Sequence, residues 1–155
     1  MLPEKIVDFM HGGVLGWIGT RDARLRPALT WAFGVRVGSA RDEITAFVPD
    51  VEIDQTRSNL SQNDLVALNV VQPITHEAYQ FKGKLTGMRP STEEEQAVQE
   101  ILRAKVAALL IMFPPELVTG FIAAPSTAVT FTVEEAFVQT PGPGAGRPLD
   151  LSAGG

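Results

Sequence analysis

The chain contains no cysteine and two histidines, His11 and His76, far apart in sequence. That inventory removes disulfides, iron–sulfur ligation, thiolate zinc sites and cysteine nucleophiles together. Two lone histidines make no metal-ligand set; His76, in PITHEAY, reads as a residue of a solvated turn. Ser58, Thr92 and the Ser126-Thr127 pair carry hydroxyls, yet none stands in a glycine elbow or beside a His/Asp set, so no hydrolase pattern is present. Glu93-Glu94-Glu95 resembles a carboxylate pair for acid–base work, but glutamates in the first turn of a helix stabilise its dipole, which explains them without chemistry. Two segments then remain. From Pro27 to Val37, bulky Leu29, Trp31, Phe33, Val35 and Val37 alternate with small Ala28, Thr30, Ala32 and Gly34. In a strand the two sets face opposite ways, so the bulky set is expected to fill the interior, with Leu29, Phe33 and Val35 buried, and the small set to leave a shelf for a flat ring. The plainer reading is that small residues let another element pack closely. The second segment is the polar stretch DQTRSNL, read as a short surface helix capped by Asp54 that exposes backbone donors at its N-terminal end.

The elements that position these segments follow from periodicity. Pro3 to Met10 reads as a helix ended by Gly12-Gly13. Strands are expected at Val14–Thr20, Pro27–Val37, Glu43–Val48, Leu65–Val71, Tyr79–Thr86 and Thr127–Phe137, with polar turns between them. Trp17 and Trp31 read most simply as core aromatics. Ser91-Thr92-Glu93-Glu94-Glu95 holds two overlapping capping boxes, Ser91 to Glu94 and Thr92 to Glu95, and opens the longest helix. That helix is expected to reach Phe113, with a stripe of Val98, Ile101, Leu102, Val106, Leu109, Leu110 and Phe113, and to stop at Pro114-Pro115 before a Glu116 to Gly120 turn.

At 155 residues, 45% of them hydrophobic and 20% charged, the chain suits one core. Residues 1–138 make the domain, and the Pro/Gly-rich stretch 139–155 is expected to be a tail, part of which could be an ordered arm. A formal charge of −5 without any Lys/Arg run argues against nucleic acid or an anionic membrane as partner. No window has the length of apolar sequence a membrane helix needs, and the N-terminus lacks a secretory pattern, so a cytoplasmic location is expected.

This order of elements, with GWIGTRDARLRPALTW as first hairpin, IDQTRSNLSQNDLVALNV as helix and following strand, and YQFKGKLTG as fifth strand, resembles the pyridoxamine 5'-phosphate oxidase-like FMN-binding superfamily over about residues 6 to 138. The resemblance implies a mainly β fold: a six-stranded antiparallel Greek-key split β-barrel, with a short N-terminal helix, a short polar helix after strand three and one long helix before the last strand. It also implies an FMN-dependent oxidoreductase of unassigned substrate, working as a homodimer with its flavin at the subunit interface. By position it places the ring beside the backbone from Arg26 to Trp31, including Pro27, Ala28, Leu29 and Thr30. Further contacts fall at Val48 and Pro49, phosphate contacts at Gln55, Thr56 and Ser58, and one more contact at Gln80. Phosphate-binding members carry an arginine-lysine pair where this chain has Gln55 and Thr56, and Asp50, Glu52 and Asp54 crowd the same region, opposing a dianion unless Arg26, Arg57 or a partner offsets them. The residues expected to hold a substrate phosphate in the oxidases proper are missing, so vitamin B6 oxidation is not implied. The other readings are a binding module of the same fold for haem, through His76, or for deazaflavin or stored flavin, and an interaction protein with an empty groove.

Overall fold

Asp22 organises the first hairpin. Its carboxylate accepts the backbone N–H groups of Arg24 and Arg26, both at 2.9 Å, and holds the Arg26 guanidinium at 2.7 Å. The turn so formed joins β1 (Leu15–Arg21) to β2 (Pro27–Ala32) in a register that pairs Ile18 with Thr30 and Gly19 with Leu29. Directly paired residues share a face of the sheet. Because Ile18 is fully buried, Thr30 and its neighbours Ala28 and Ala32 point inward, and Leu29 points out with 65% of its surface exposed. The bulky side of β2 is therefore the outer side, the reverse of the expectation from alternation, and Trp31 and Phe33 are half-buried.

The computed structural model describes residues 1–109 and 125–151. The reversal has a local cause at Gly34, whose φ of +124° breaks the strand. A residue with a Cβ is disfavoured there, and the added atom would also come within 3.1 Å of Leu102. The kink shifts side-chain parity by one, so that inward positions are even-numbered before it (Ala32) and odd-numbered after it (Val35, Val37) in β3 (Val35–Val37). The expected single strand is thus two, and the sheet has seven strands rather than six.

The remaining elements are α1 (Glu4–His11), β4 (Glu43–Pro49), α2 (Ile53–Leu60), β5 (Leu65–Val71), β6 (Ala78–Pro90), α3 (Glu93–Leu109) and β7 (Ser126–Val138). All neighbouring strands are antiparallel, in the order β2-β1-β5-β6-β7-β4-β3. The two ends of the ladder, β2 and β3, are consecutive in the chain, so the sheet curls round a core that includes Ile18, Ile44, Leu68, Phe81 and Phe131, plugged by Ile6 and Met10 of α1. Phe33 N–H donates to the Phe47 carbonyl at 2.7 Å where the chain crosses between the edges, but the strand ladder is not closed into a barrel. β6 and β7 slip register at Lys82/Gly83 and again at Leu85/Gly87. At the first slip the backbones approach so closely that a Cβ on Gly83 would fall on the Thr132 carbonyl oxygen.

α3 starts with one of the two capping boxes: Glu95 N–H donates to Thr92 Oγ1 at 3.2 Å and Thr92 N–H to Glu95 Oε2 at 2.9 Å. Among its described side chains the buried ones are Glu95, Gln99 and Leu102, at i, i+4 and i+7; Leu102 belongs to the expected apolar stripe, whereas Ile101 of that stripe is 59% exposed. The expected positions Leu110 and Phe113, the Pro114-Pro115 stop, the Glu116 to Gly120 turn and the side chains of Val106 and Leu109 lie outside the described residues. Glu95 is more than a helix-dipole residue, because Arg36 and Arg89 both pair with it, at 2.8 and 2.7 Å. Beyond β7 the chain turns back along that strand: Leu149 N–H donates to the Ala136 carbonyl at 2.8 Å, and Leu149 and Leu151 pack on the core.

Candidate functional site

β2 ends the ladder, so the backbone side turned away from β1 has no strand partner among the described residues. An edge of this kind offers a row of amide and carbonyl groups to whatever lies beside it. α2 lies there, and Asn59 of the helix with Gln62 and Asn63 just beyond it make three bonds to the first hairpin and its turn. Asn59 Nδ2 donates to Thr20 Oγ1 at 3.0 Å, Asn63 Nδ2 to the Arg21 carbonyl at 2.7 Å, and Ala23 N–H to Gln62 Oε1 at 2.9 Å. Between edge and helix a cleft of about 520 Å³ remains, lined by Ala28, Leu29, Thr30 and Trp31 along the strand, by Trp17, and by Glu52, Gln55 and Thr56 from the start of α2.

Two features of this cleft set its chemistry. Trp17 and Trp31 face each other across the hairpin with ring centroids 4.7 Å apart at 37°, giving an aromatic wall on which a planar group can lie. At the other end Glu52 occupies the N-cap position of α2 without capping it; its carboxylate instead accepts the Thr30 hydroxyl at 2.6 Å. α2 begins at Ile53, so Asp54 lies in its first turn and is not the cap expected. A second depression, of about 640 Å³, adjoins the cleft on the outer sheet face, with Gly19 and Ala67 among its lining and Leu29, Leu65, Lys82 and Glu135 around them. Among the described residues no group of three or more His, Cys, Asp or Glu side chains is placed to hold a metal ion.

No protein-family model and no curated protein matches the sequence. Solved structures do match in shape. HupZ from Group A Streptococcus superposes with a TM-score of 0.59 at 16% identity, covering 95% of this chain and 99% of that one. A candidate pyridoxamine 5'-phosphate oxidase from Lactobacillus delbrueckii gives 0.55 at 15% identity over 88% and 93% of the two chains. An F420 reductase gives 0.55 at 12% identity over 87% and 98%. This chain shares its fold with these structures, among them one named for pyridoxamine 5'-phosphate oxidase. At these identities the likeness is one of fold.

Set on this fold, the residues expected from sequence fall into two groups. Ala28, Leu29, Thr30, Gln55 and Thr56 come together in the cleft, and Pro27 lines the adjoining depression. Thr56 is buried, and the Gln55 side-chain amide is turned along the helix to Asn59 Oδ1 at 2.9 Å. The other expected residues lie elsewhere. Arg26 is tied to Asp22, whose carboxyl is held below its ordinary range by the Arg26 backbone N–H first and the Arg26 side chain after it. Val48 and Pro49 are buried in β4, paired to β7, because both faces of that strand are covered. Ser58 is exposed on α2 and lines neither cavity, and Gln80 lies on β6, its amide donating to Asn69 at 3.1 Å. His76 sits in the β5–β6 turn with φ 59°, exposed and away from the cleft lining. His11 accepts the Val37 N–H at 3.4 Å, and burial, then Lys105, hold its pKa below the ordinary value. At the α2 end, no described lining residue of the cleft is cationic.

Trp17, Trp31 and Glu52 are the cleft residues that periodicity missed. The two tryptophans had a signal: once Arg21 and Pro27 are taken as the hairpin's closing pair, counting back along both arms sets Trp17 opposite Trp31. Glu52 had none, since its role depends on where α2 docks.

Proposed function

We propose that this chain binds a flat redox heterocycle of the flavin class in the cleft between β2 and α2, and acts as an oxidoreductase whose substrate is unassigned. The observation that carries the reading is the β2 edge, which has no second strand partner among the described residues, beside the Trp17–Trp31 wall: an open strand side, an aromatic face to stack on, and a helix closing one side. Such a ring, when bound, supplies electron or hydride exchange; the chain supplies position and shielding from water. Ala28 and Thr30 are small enough to leave the strand edge accessible, and Trp31 limits how far the ring can slide along it. FMN is the flavin that the resemblance implies. Its ring half is matched by these residues, whereas its phosphate half meets Glu52 instead of a basic pair.

The same reading includes a homodimer. Leu29 and Leu65, 65% and 38% exposed, stand over the Gly19–Ala67 floor on the outer sheet face, where a second copy would cover them and close the open side of the cleft. The experiment is titration of the purified chain with riboflavin, followed by quenching of flavin and tryptophan fluorescence. Saturable binding that is lost in Ala28→Trp, which fills the strand edge with a third indole, is the expected result. Absence of binding by the unaltered protein, or binding unchanged in Ala28→Trp, refutes the site.

A further inference from the structure

Resting on the flavin-class reading above, the second inference concerns which ligand of that class the cleft takes. Glu52 is the deciding residue. At the N-cap of a helix an acidic side chain ordinarily turns to the helix's own first amides. Here it accepts the Thr30 hydroxyl at 2.6 Å, so the carboxylate is held at the polar end of the cavity while staying exposed to solvent. Neither Arg26 nor Arg57 lines the cleft. Arg26, in the turn before β2, gives Nε and Nη2 to Asp22 Oδ2 at 2.7 Å each, and Arg57 lies in the last turn of α2. Gln55 spends an amide hydrogen on Asn59, and Thr56 is buried.

The cleft thus combines an aromatic wall, a carboxylate acceptor and no cation among its described lining residues. A phosphate group brings about two negative charges at neutral pH, and the partial positive charge of one helix terminus is smaller than the charge of the single carboxylate standing in front of it. Hydroxyl or N–H donors, in contrast, find an acceptor already in place. We infer that the cleft selects a flat ring with a neutral, hydrogen-bond-donating side chain, of the riboflavin type, and rejects its phosphorylated form.

The test is paired titration of the full chain and its Glu52→Gln variant with riboflavin and with FMN at low and moderate salt. The unaltered protein is expected to bind riboflavin at least tenfold more tightly than FMN, with the gap narrowing as salt screens the repulsion. Glu52→Gln is expected to strengthen FMN binding about tenfold while changing riboflavin by less than about threefold. Glu52 is exposed, so the variant should keep the fold; a thermal melt that matches the parent's confirms this. FMN bound as tightly as riboflavin by the parent overturns the exclusion and leaves the ring site standing. A riboflavin preference that survives unchanged in Glu52→Gln overturns the assignment to this residue. Binding of neither flavin removes the flavin reading itself, and this inference with it.

Discussion

Replacing Glu95 with Gln tests the polar seam that docks α3 against the sheet. Glu95 is 3% exposed and holds four hydrogen bonds: Arg89 through Nη1 and Nη2 at 2.7 and 2.8 Å, Arg36 Nη2 at 2.8 Å, and the Thr92 N–H at 2.9 Å. The Arg89 hydrogen bonds, against the opposing cost of burial, lower its carboxyl from the ordinary 4.5 to about 2, with Thr92 and the charges of Arg89 and Arg36 adding to the effect. At about 1.4 kcal/mol per pKa unit, that shift corresponds to a ceiling of ~3 kcal/mol. The two guanidinium groups are 42% and 50% exposed, so solvent screens them, and about 1 to 2 kcal/mol is the expected loss at pH 7. Because the folded carboxyl titrates below the unfolded one, the unfolded chain takes up its proton first as pH falls. The contribution is therefore complete above about pH 4.5 and disappears between there and about pH 2. Urea denaturation of parent and Glu95→Gln at pH 7, 5 and 3 should show a stability gap that is constant between the first two and smaller at the third. A gap that is absent at pH 7, or that is as large at pH 3 as at pH 7, would refute the reasoning.

Gly83→Ala should destabilise the fold by about 1 to 3 kcal/mol or more, because its Cβ meets the Thr132 carbonyl and no rotamer can move a backbone atom aside; chemical denaturation with less than about half a kcal/mol of change would contradict the β6–β7 approach. Leu29→Lys should leave stability of the isolated subunit within about half a kcal/mol, as expected of an outward-facing residue, yet weaken self-association at least tenfold in sedimentation equilibrium. A large loss of stability would restore the inward placement of Leu29, and a parent that is monomeric at micromolar concentration would sink the proposed dimer.

Element existence was legible in the sequence because each strand carries a short apolar run between turn residues, and the Thr92–Glu95 box marked the start of α3 by its side chains alone. The face of β2 was not legible, since alternation gives two sets of side chains without a sign. The sign comes from the partner strand: Ile18 is fully buried, so Thr30 turns inward whatever Leu29 would prefer. Gly34 could have warned of the parity change, being a glycine between two β-branched or aromatic runs, but only its positive φ shows that the strand breaks there. α3 misled in the other direction. An apolar stripe was visible, yet the buried face carries Glu95 and Gln99, because Arg36 and Ser126, far away in sequence, and the nearer Arg89 supply partners.

The cleft and the break at Gly34 have a common origin. Without the kink, a strand continuing from Pro27 to Val37 would run on as a single edge beside β1. With it, the chain leaves that edge after Ala32 and reappears as β3 beside β4, at the far end of the ladder. No later strand returns to pair with β2 among the described residues, so its outer backbone side needs some other cover. α2 provides part of it, tied down through Asn59 and through Gln62 and Asn63 after its end, but a helix cannot satisfy a strand's hydrogen-bonding groups as another strand would. On the proposed flavin-class reading, the remaining gap, walled by the two tryptophans, is where a planar ligand with its own donors and acceptors would complete what the strand ladder leaves open. Ligand binding and edge protection are then the same event, and a bound ring should stabilise the hairpin it sits on as well as report on it.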